Sequence, residues 1–237
     1  MAKRKAVENE NLSGNLLLIQ EVNKHDLQTL ETKCFSANNL KYTKNGMDFH
    51  IDLETAETIS EEDFESCFQL IEETSSDQYR SSAIGWSPVK KKNEMRLTDM
   101  RYLLVRKNTA IKINSGEESH PNQIDSKIMG FLSFMFTIED DYAVVYCYEI
   151  HLKDTVRGLR LGQHLMNLME EAGSLAGLKK AMLTVFTANK LAFEFYKSLG
   201  YTIDESSPPA KKLRNGTVKH STYWILSKTI KGLPSSS

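Results

Sequence analysis

The run Tyr146-Cys147-Tyr148-Glu149-Ile150-His151-Leu152, followed by Val156-Arg157-Gly158-Leu159-Arg160-Leu161-Gly162-Gln163, restricts the fold of this chain more than any other segment. Its first part reads as a strand. Its last part opens a helix in which Leu161, Leu165, Leu168, Met169 and Ala172 recur at helical spacing, closed by Gly173 or Gly177. Between them lies a short turn with one glycine and two arginines. The helix start that follows such a turn displays unpaired backbone N–H groups and the positive end of the helix dipole, a seat for a pyrophosphate. Arg157 and Arg160 add charge-assisted donors. Taken alone, the segment reads equally well as an ordinary strand–helix corner. The chain carries no Walker lysine and no Gly-x-Gly-x-x-Gly, which argues against an NTPase or a dinucleotide fold.

The surrounding pattern is that of a mixed α/β chain. Phe49, Ile51 and Leu53 alternate with Asp48, His50 and Asp52, predicting a half-buried strand over Met47–Leu53. Ser60 with Asp63 reads as a capping box, and Phe64, Cys67, Phe68 and Ile71 predict a helix to about Glu73. Ser87-Pro88 marks another helix start. Strands are expected at Tyr102–Val105, Ile128–Phe136, Tyr142–Leu152 and Ala181–Phe186. Residues 108–126 read as a surface loop insertion. Asn189 opens a helix with Leu191, Ala192, Phe195, Tyr196 and Leu199 on one face and Gly200 at its end. Tyr201–Asp204 and Thr222–Leu226 close the set as strands around a loop at 205–221. Leu18, Val22 and Leu30 suggest one amphipathic helix across Leu16–Leu30. Residues 1–14 and 231–237 read as poorly ordered termini. The order of elements predicts one domain over 46–230, preceded by an extension, 1–45, and followed by a tail, 231–237.

Composition narrows the function classes. The 237 residues hold 30 basic and 31 acidic side chains, a net charge of −1, which argues against a bulk polyanion binder. Two local basic patches remain, Lys3-Arg4-Lys5 and Lys90-Lys91-Lys92; the first reads as a nuclear-entry signal or a solvated tail. Cys34, Cys67 and Cys147 have no metal-ligand spacing and suit a reducing compartment. The longest early apolar run, Leu16–Ile19, is far short of a membrane span. The expectation is a soluble intracellular protein with no metal, no membrane contact and no direct nucleic-acid partner.

Asn189, Ala192, Tyr196 and Gly200-Tyr201 follow the spacing Asn-x-x-Ala-x-x-x-Tyr-x-x-x-Gly-Tyr. With Arg157 and Gly162 at the ends of an Arg/Gln-x-x-Gly-x-Gly/Ala signature, the chain resembles the GCN5-related N-acetyltransferase (GNAT) superfamily. Arg160 stands where the first glycine is usual, with Gly158 displaced by two. Gln78-Tyr79, Gly85-Trp86, Tyr146–Glu149, Met182–Phe186, Asp204–Pro208 and Tyr223–Ser227 further resemble the N-terminal acetyltransferase D family, over roughly residues 47–228. The resemblance implies an α/β (α+β) fold with a single mixed central sheet flanked by helices, and an extra N-terminal helix clasping it. It implies acetyl-CoA as cofactor and, as substrate, the free α-amine of histone tails that begin Ser-Gly-Arg-Gly. It also implies a monomer without an obligatory auxiliary subunit, in cytoplasm and nucleus, with ribosome association as a further setting.

The same resemblance assigns roles. Glu149 is the candidate base, directly or through a water; Tyr196 is the candidate donor to the CoA sulfur, or else core packing. The backbone of Ile150, His151 and Leu152 would bind pantetheine as a strand extension and supply an oxyanion donor. Arg157, Gly158, Leu159, Arg160, Leu161, Gly162 and Gln163 would cradle the phosphates, and Asn189 would touch the pantetheine arm or cap its helix. Tyr79, Trp86, Glu139, Tyr148, Thr184 and Tyr223 would meet the peptide, Glu139 reading the third-position arginine with Asp140 and Asp141 beside it. Simple alternation places Glu149 on one face with Cys147 and Tyr148 with Tyr146, unless a bulge intervenes. His151 is expected to be solvent-exposed, and the loop 205–221 to cover one side of the groove. Two alternatives stay open: a lysine or small-amine acetyltransferase of the same fold, and a non-catalytic histone-binding module.

Overall fold

The chain forms a mixed sheet with helices on both faces; the computed structural model describes residues 2–35, 39–109, 123–212, 214 and 216–230. In chain order the elements are α1 (Ala2–Asn23), α2 (Leu27–Cys34), β1 (Lys41–Lys44), β2 (Met47–Thr55), α3 (Glu61–Ser81), α4 (Pro88–Met95), β3 (Arg101–Thr109), β4 (Gln123–Glu139) and β5 (Tyr142–Leu152). Then follow α5 (Leu161–Leu175), β6 (Lys180–Phe186), α6 (Lys190–Ser198), β7 (Thr202–Ile203), β8 (Lys211–Lys212), β9 (Val218–Lys219) and β10 (Tyr223–Thr229). The sheet order is β1-β2-β3-β4-β5-β6-β10-β7, and β8 and β9 pair apart from it. Every pairing in the large sheet is antiparallel except β5 with β6.

Both faces of the sheet are covered, as β3 shows. Leu103 and Val105 enter a core shared with α1, α2 and α5, whereas Tyr102 and Leu104 enter a second one under α3 and α4. Burying each such side chain stabilises the fold by about 1.5–3 kcal/mol.

Several boundaries differ from expectation for local reasons. The helix predicted over Leu16–Leu30 is two helices: Asp26 accepts a 2.8 Å bond from the Thr29 N–H and caps α2, so the chain turns there. Upstream, α1 runs back to Ala2 through the predicted disordered stretch, which holds no proline and a single glycine, Gly14. Ile19 and Val22 from α1 and Leu30 from α2 join the large core. Asn15 Nδ2 donates to the Asp141 carbonyl at 2.8 Å and Asn23 Nδ2 to the Phe136 carbonyl at 3.2 Å, so α1 clasps β4 and the turn that follows it. The predicted loop 108–126 has strand at both ends; its middle, like the tail 231–237 and the side chains of Lys3-Arg4-Lys5, lies outside the described residues. α3 continues about two turns past Glu73, and that extra length reaches the site. No described helix is long and apolar enough to cross a membrane.

Candidate active site

β5 carries a bulge where the sequence run is densest in chemistry. On β4, Ser133 faces Glu149 but the next residue, Phe134, faces Cys147, so Tyr148 is extra. The expected pairing of faces is therefore overturned. Cys147 and Ile150 point to the α5 side with Phe134 and Leu132, whereas Tyr148, Glu149 and His151 turn to the side of α3 and α4.

On that side Glu149 is buried at the centre of a hydrogen-bond network. Its Oε1 accepts from the Tyr79 hydroxyl at 2.6 Å and the Lys91 ammonium at 2.8 Å; its Oε2 accepts from His151 Nε2 at 2.7 Å. Lys91 also donates to Tyr79 Oη at 2.7 Å and Glu94 Oε1 at 2.5 Å. His151 Nδ1 lies 2.6 Å from Thr74 Oγ1, which itself lies 2.6 Å from the Leu70 carbonyl. The single Thr74 hydroxyl proton can serve either neighbour, so this seat accepts His151 in the neutral or the doubly protonated form. The expectation of an exposed His151 fails because the bulge turns it inward, to 9% exposure. Burial alone would raise the Glu149 pKa, but Lys91 and His151 outweigh it and hold the carboxyl down at about 2. Burial pushes the Tyr79 and Tyr196 phenols and the Cys147 thiol up, so all three stay protonated near neutrality.

Beyond Cys147 the parallel pairing of β5 with β6 stops, while β6 continues to Phe186 against β10. The two strands part, and a cleft of ≈1110 Å³ opens between them. Ile150, His151 and Leu152 line one wall, and Asn189, Phe195 and Tyr196 the other. At its head the turn before α5 places both Gly158 (φ 77°) and Arg160 (φ 61°) in the left-handed region. Arg160 thus takes the backbone conformation a glycine would favour. No side chain caps α5, so its first N–H groups stand open beside the cleft-lining residues Gly158, Arg160, Leu161, Gly162 and Gln163. A Cβ on Gly162 would come within 3.3 Å of the Phe195 ring, which shows how closely α6 approaches there. Arg157 also lines the cleft, tied to Asp154 at 2.6 Å and to the Leu152 carbonyl at 3.1 Å. Leu159 does not: it is buried, and its carbonyl accepts from Tyr42. Asn189 caps α6 through Ala192 N at 3.1 Å and donates to Gln78 at 3.1 Å. Tyr196 is buried in the cleft wall, its hydroxyl without a hydrogen-bond partner among the described residues.

At the other end the cleft is acidic and aromatic. Tyr79, Glu94, Glu139 and Tyr148 line it, and Glu139 and Glu94 both act on the Tyr148 phenol, whose pKa burial and these charges raise. Thr184 lines it too, engaged with the Tyr146 hydroxyl at 2.6 Å. Three expected contacts lie elsewhere. Trp86 stacks on Phe68 and sits 5.5 Å from Tyr79, behind it. Tyr223 pairs with Phe186 at the head of β10, outside the lining. Asp140 and Asp141 form the tight β4–β5 turn with φ of 45° and 69°, also outside it. None of the described residues of 205–221 lines the cleft.

Sequence reading missed Lys91, Glu94, Thr74 and Gln78. The sequence reading places Lys91 in a local basic patch; its position, four residues before the buried Met95 on α4, is the available signal. Thr74 and Gln78 lie past the point where the apolar stripe of α3 ends.

The family model described as "Acetyltransferase (GNAT) family" matches residues 65–201. Among solved structures, NAA60 of Arabidopsis thaliana, in complex with a bisubstrate analogue, is similar at a TM-score of 0.51 and 15% identity, over 76% of this chain and 99% of its own. An acetyltransferase from Streptococcus agalactiae is similar at 0.51 and 11%, over 76% and 98%. The ribosomal-protein-S18-alanine N-acetyltransferase from Escherichia coli is similar at 0.46 and 13%, over 79% and 98%. At these identities the likeness is one of fold.

Proposed function

The chain belongs to the acetyltransferase (GNAT) family, which uses acetyl-CoA, and from that membership we propose that it acetylates the free α-amine of protein chains beginning Ser-Gly-Arg-Gly, as histone tails do. The observation that carries this reading is the opposition of the two ends of one cleft. Open backbone donors and Arg160 stand at one end, and Glu94, Glu139 and tyrosines at the other. The first end suits an anionic cofactor, and the second a cationic peptide start.

The residues present fit acetyl-CoA: among the described residues no side chain caps the first N–H groups of α5, and Leu161, Gly162 and Gln163 line the cleft, the donor set a pyrophosphate needs. When bound, the cofactor supplies an acetyl thioester. The edge of β5 over Ile150–Leu152, beyond its pairing with β6, would hold the pantetheine as a strand extension and would supply an oxyanion donor. Burial keeps the Tyr196 phenol protonated, and it would supply that proton to the leaving thiolate. An α-amine has a pKa of about 7.7–8.0, so roughly a tenth or more is neutral near pH 7 and the protein has modest deprotonating work. Both Glu149 oxygens are engaged, so Glu149 acts as the base through Tyr79: the phenol passes its own proton to Glu149 Oε1 and takes the proton the amine loses. Tyr79 and Tyr148 flank the amine, and Glu139 with Glu94 takes the third-position guanidinium. On this reading the protein works as a monomer in cytoplasm and nucleus.

CoA release with a peptide that begins Ser-Gly-Arg-Gly and carries a lysine further along, with the same peptide blocked at its α-amine, and with its third residue changed to alanine tests the proposal. Turnover confined to the free terminus, with kcat/KM down about 10- to 100-fold for the alanine peptide, is expected. Equal turnover on the blocked peptide would assign lysine chemistry instead, and binding without release a histone-binding module.

A further inference from the structure

α4 buries two residues, Met95 and, one turn before it, Lys91. Helical spacing reserves such a position for an apolar side chain. Lys91 is 7% exposed, and its ammonium touches Glu149 at 2.8 Å, Tyr79 Oη at 2.7 Å and Glu94 at 2.5 Å while lining the cleft. Stability alone gives no reason for it, because apolar packing usually matches or exceeds a buried ion pair. The lysine is held from α4, the carboxylate from the bulge in β5 and the phenol from the extended end of α3, so the ammonium is where three elements meet.

We propose that Lys91 is a positioning residue of the acetyl transfer: its ammonium locks the Glu149 carboxylate and the Tyr79 hydroxyl into one arrangement and keeps that buried carboxylate ionised. The proposal rests on the reading that Glu149 serves the transfer. Without Lys91, Glu149 would keep Tyr79 and His151 as donors but lose its permanent counter-charge, and burial would then favour the neutral acid. The titratable groups that interact with Glu149 or with Lys91 are Tyr79 from α3, Glu94 from α4, Tyr102 from β3, Cys147, Tyr148 and His151 from β5, and Tyr196 from α6. Burial keeps the phenols and the thiol protonated through the pH range of the test.

The test compares wild type, Lys91→Met, Lys91→Gln and Lys91→Arg with two readouts. The first is kcat and both KM values between pH 6 and 9, on whichever acceptor amine the wild type turns over. The second is the ¹³C signal of the Glu149 carboxyl between pH 4 and 8, assigned with Glu149→Gln. Expected for K91M is a kcat loss of about 10- to 100-fold at pH 6.5 that narrows as pH rises, with KM for acetyl-CoA unchanged. The Glu149 signal should be flat in wild type and titrate in K91M, and K91R should recover most of kcat and flatten the signal again. K91Q, which keeps the length and polarity, gives the same reading should K91M not fold. A lower KM for the amine with kcat intact would overturn the proposal, since the ammonium would then merely occupy the amine's seat. A pH-independent deficit with an unmoved carboxyl signal would overturn it as well. Absence of turnover on Ser-Gly-Arg-Gly peptides would count against the proposed function alone, because the carboxyl signal judges Lys91 without any activity.

Discussion

Arg160 holds φ 61° and ψ 15°, a left-handed conformation that costs a non-glycine residue about 1 kcal/mol. The strain is retained where Arg160 lines the proposed phosphate seat. Arg160→Gly should leave the melting temperature unchanged or slightly raised while weakening acetyl-CoA binding several-fold, measured by calorimetry and thermal unfolding together. Equal affinity would remove Arg160 from the phosphate site. Glu149 supplies a second case. Its folded pKa, about 2, lies below the ordinary carboxylate value, so its contribution to stability is full above about pH 4.5 and is lost as pH falls toward 2. Glu149→Gln should therefore be less stable at pH 7 by about 3 kcal/mol, from the stranded Lys91, yet lose less than wild type between pH 4.5 and 3 in denaturant titrations. Its kcat should fall about 100-fold with CoA affinity unchanged. That Glu149 matters was legible from its place in the strand run. Its engagement with Lys91 and Tyr79 was not, because they lie 58 and 70 residues away and meet it only where α4 and α3 pack on that face of the sheet.

The elements that build the site do so by irregularities. The bulge in β5 turns Tyr148 and Glu149 to the same face, and no spacing in the sequence marks which residue is extra. The extension of α3 past Ile71 carries Thr74, Gln78 and Tyr79, polar residues whose burial comes from the neighbouring strands and α4. Gly130 on β4 pairs with Leu152 and packs closely on the stretch of β5 whose opposite edge is open: an added Cβ would lie 2.7 Å from the His151 carbonyl oxygen and closer still to Leu152 Cδ2. Gly130→Ala should therefore cost about 1–3 kcal/mol and push the pantetheine-binding edge out of place, seen as a raised KM for acetyl-CoA beyond the stability loss. Helix starts, by contrast, were read correctly at Ser60, Ser87 and Asn189, because a cap is a contact between residues three apart.

Across the molecule, the parted strands β5 and β6 leave backbone edges that the cofactor would fill, so binding should tie the two halves of the sheet together. Saturating CoA at about 100 times its Kd should add about 2.7 kcal/mol, raising the melting temperature by several degrees and protecting amides of β5 and the first turn of α5 from hydrogen exchange. An unchanged melting temperature would place the cofactor elsewhere. The balanced charge of 30 against 31 fits a cleft whose ends have opposite sign, although Lys91 and Glu149 neutralise each other between them. The sequence by itself determined the elements, the mixed sheet and the family, since periodicity, caps and the strand–turn–helix run are properties of neighbours along the chain. The tertiary structure alone decided the bulge and the burial of Lys91 against Glu149. Those depend on which groups meet across the sheet, where low dielectric and the loss of water make each unpaired charge costly enough to dictate its partner.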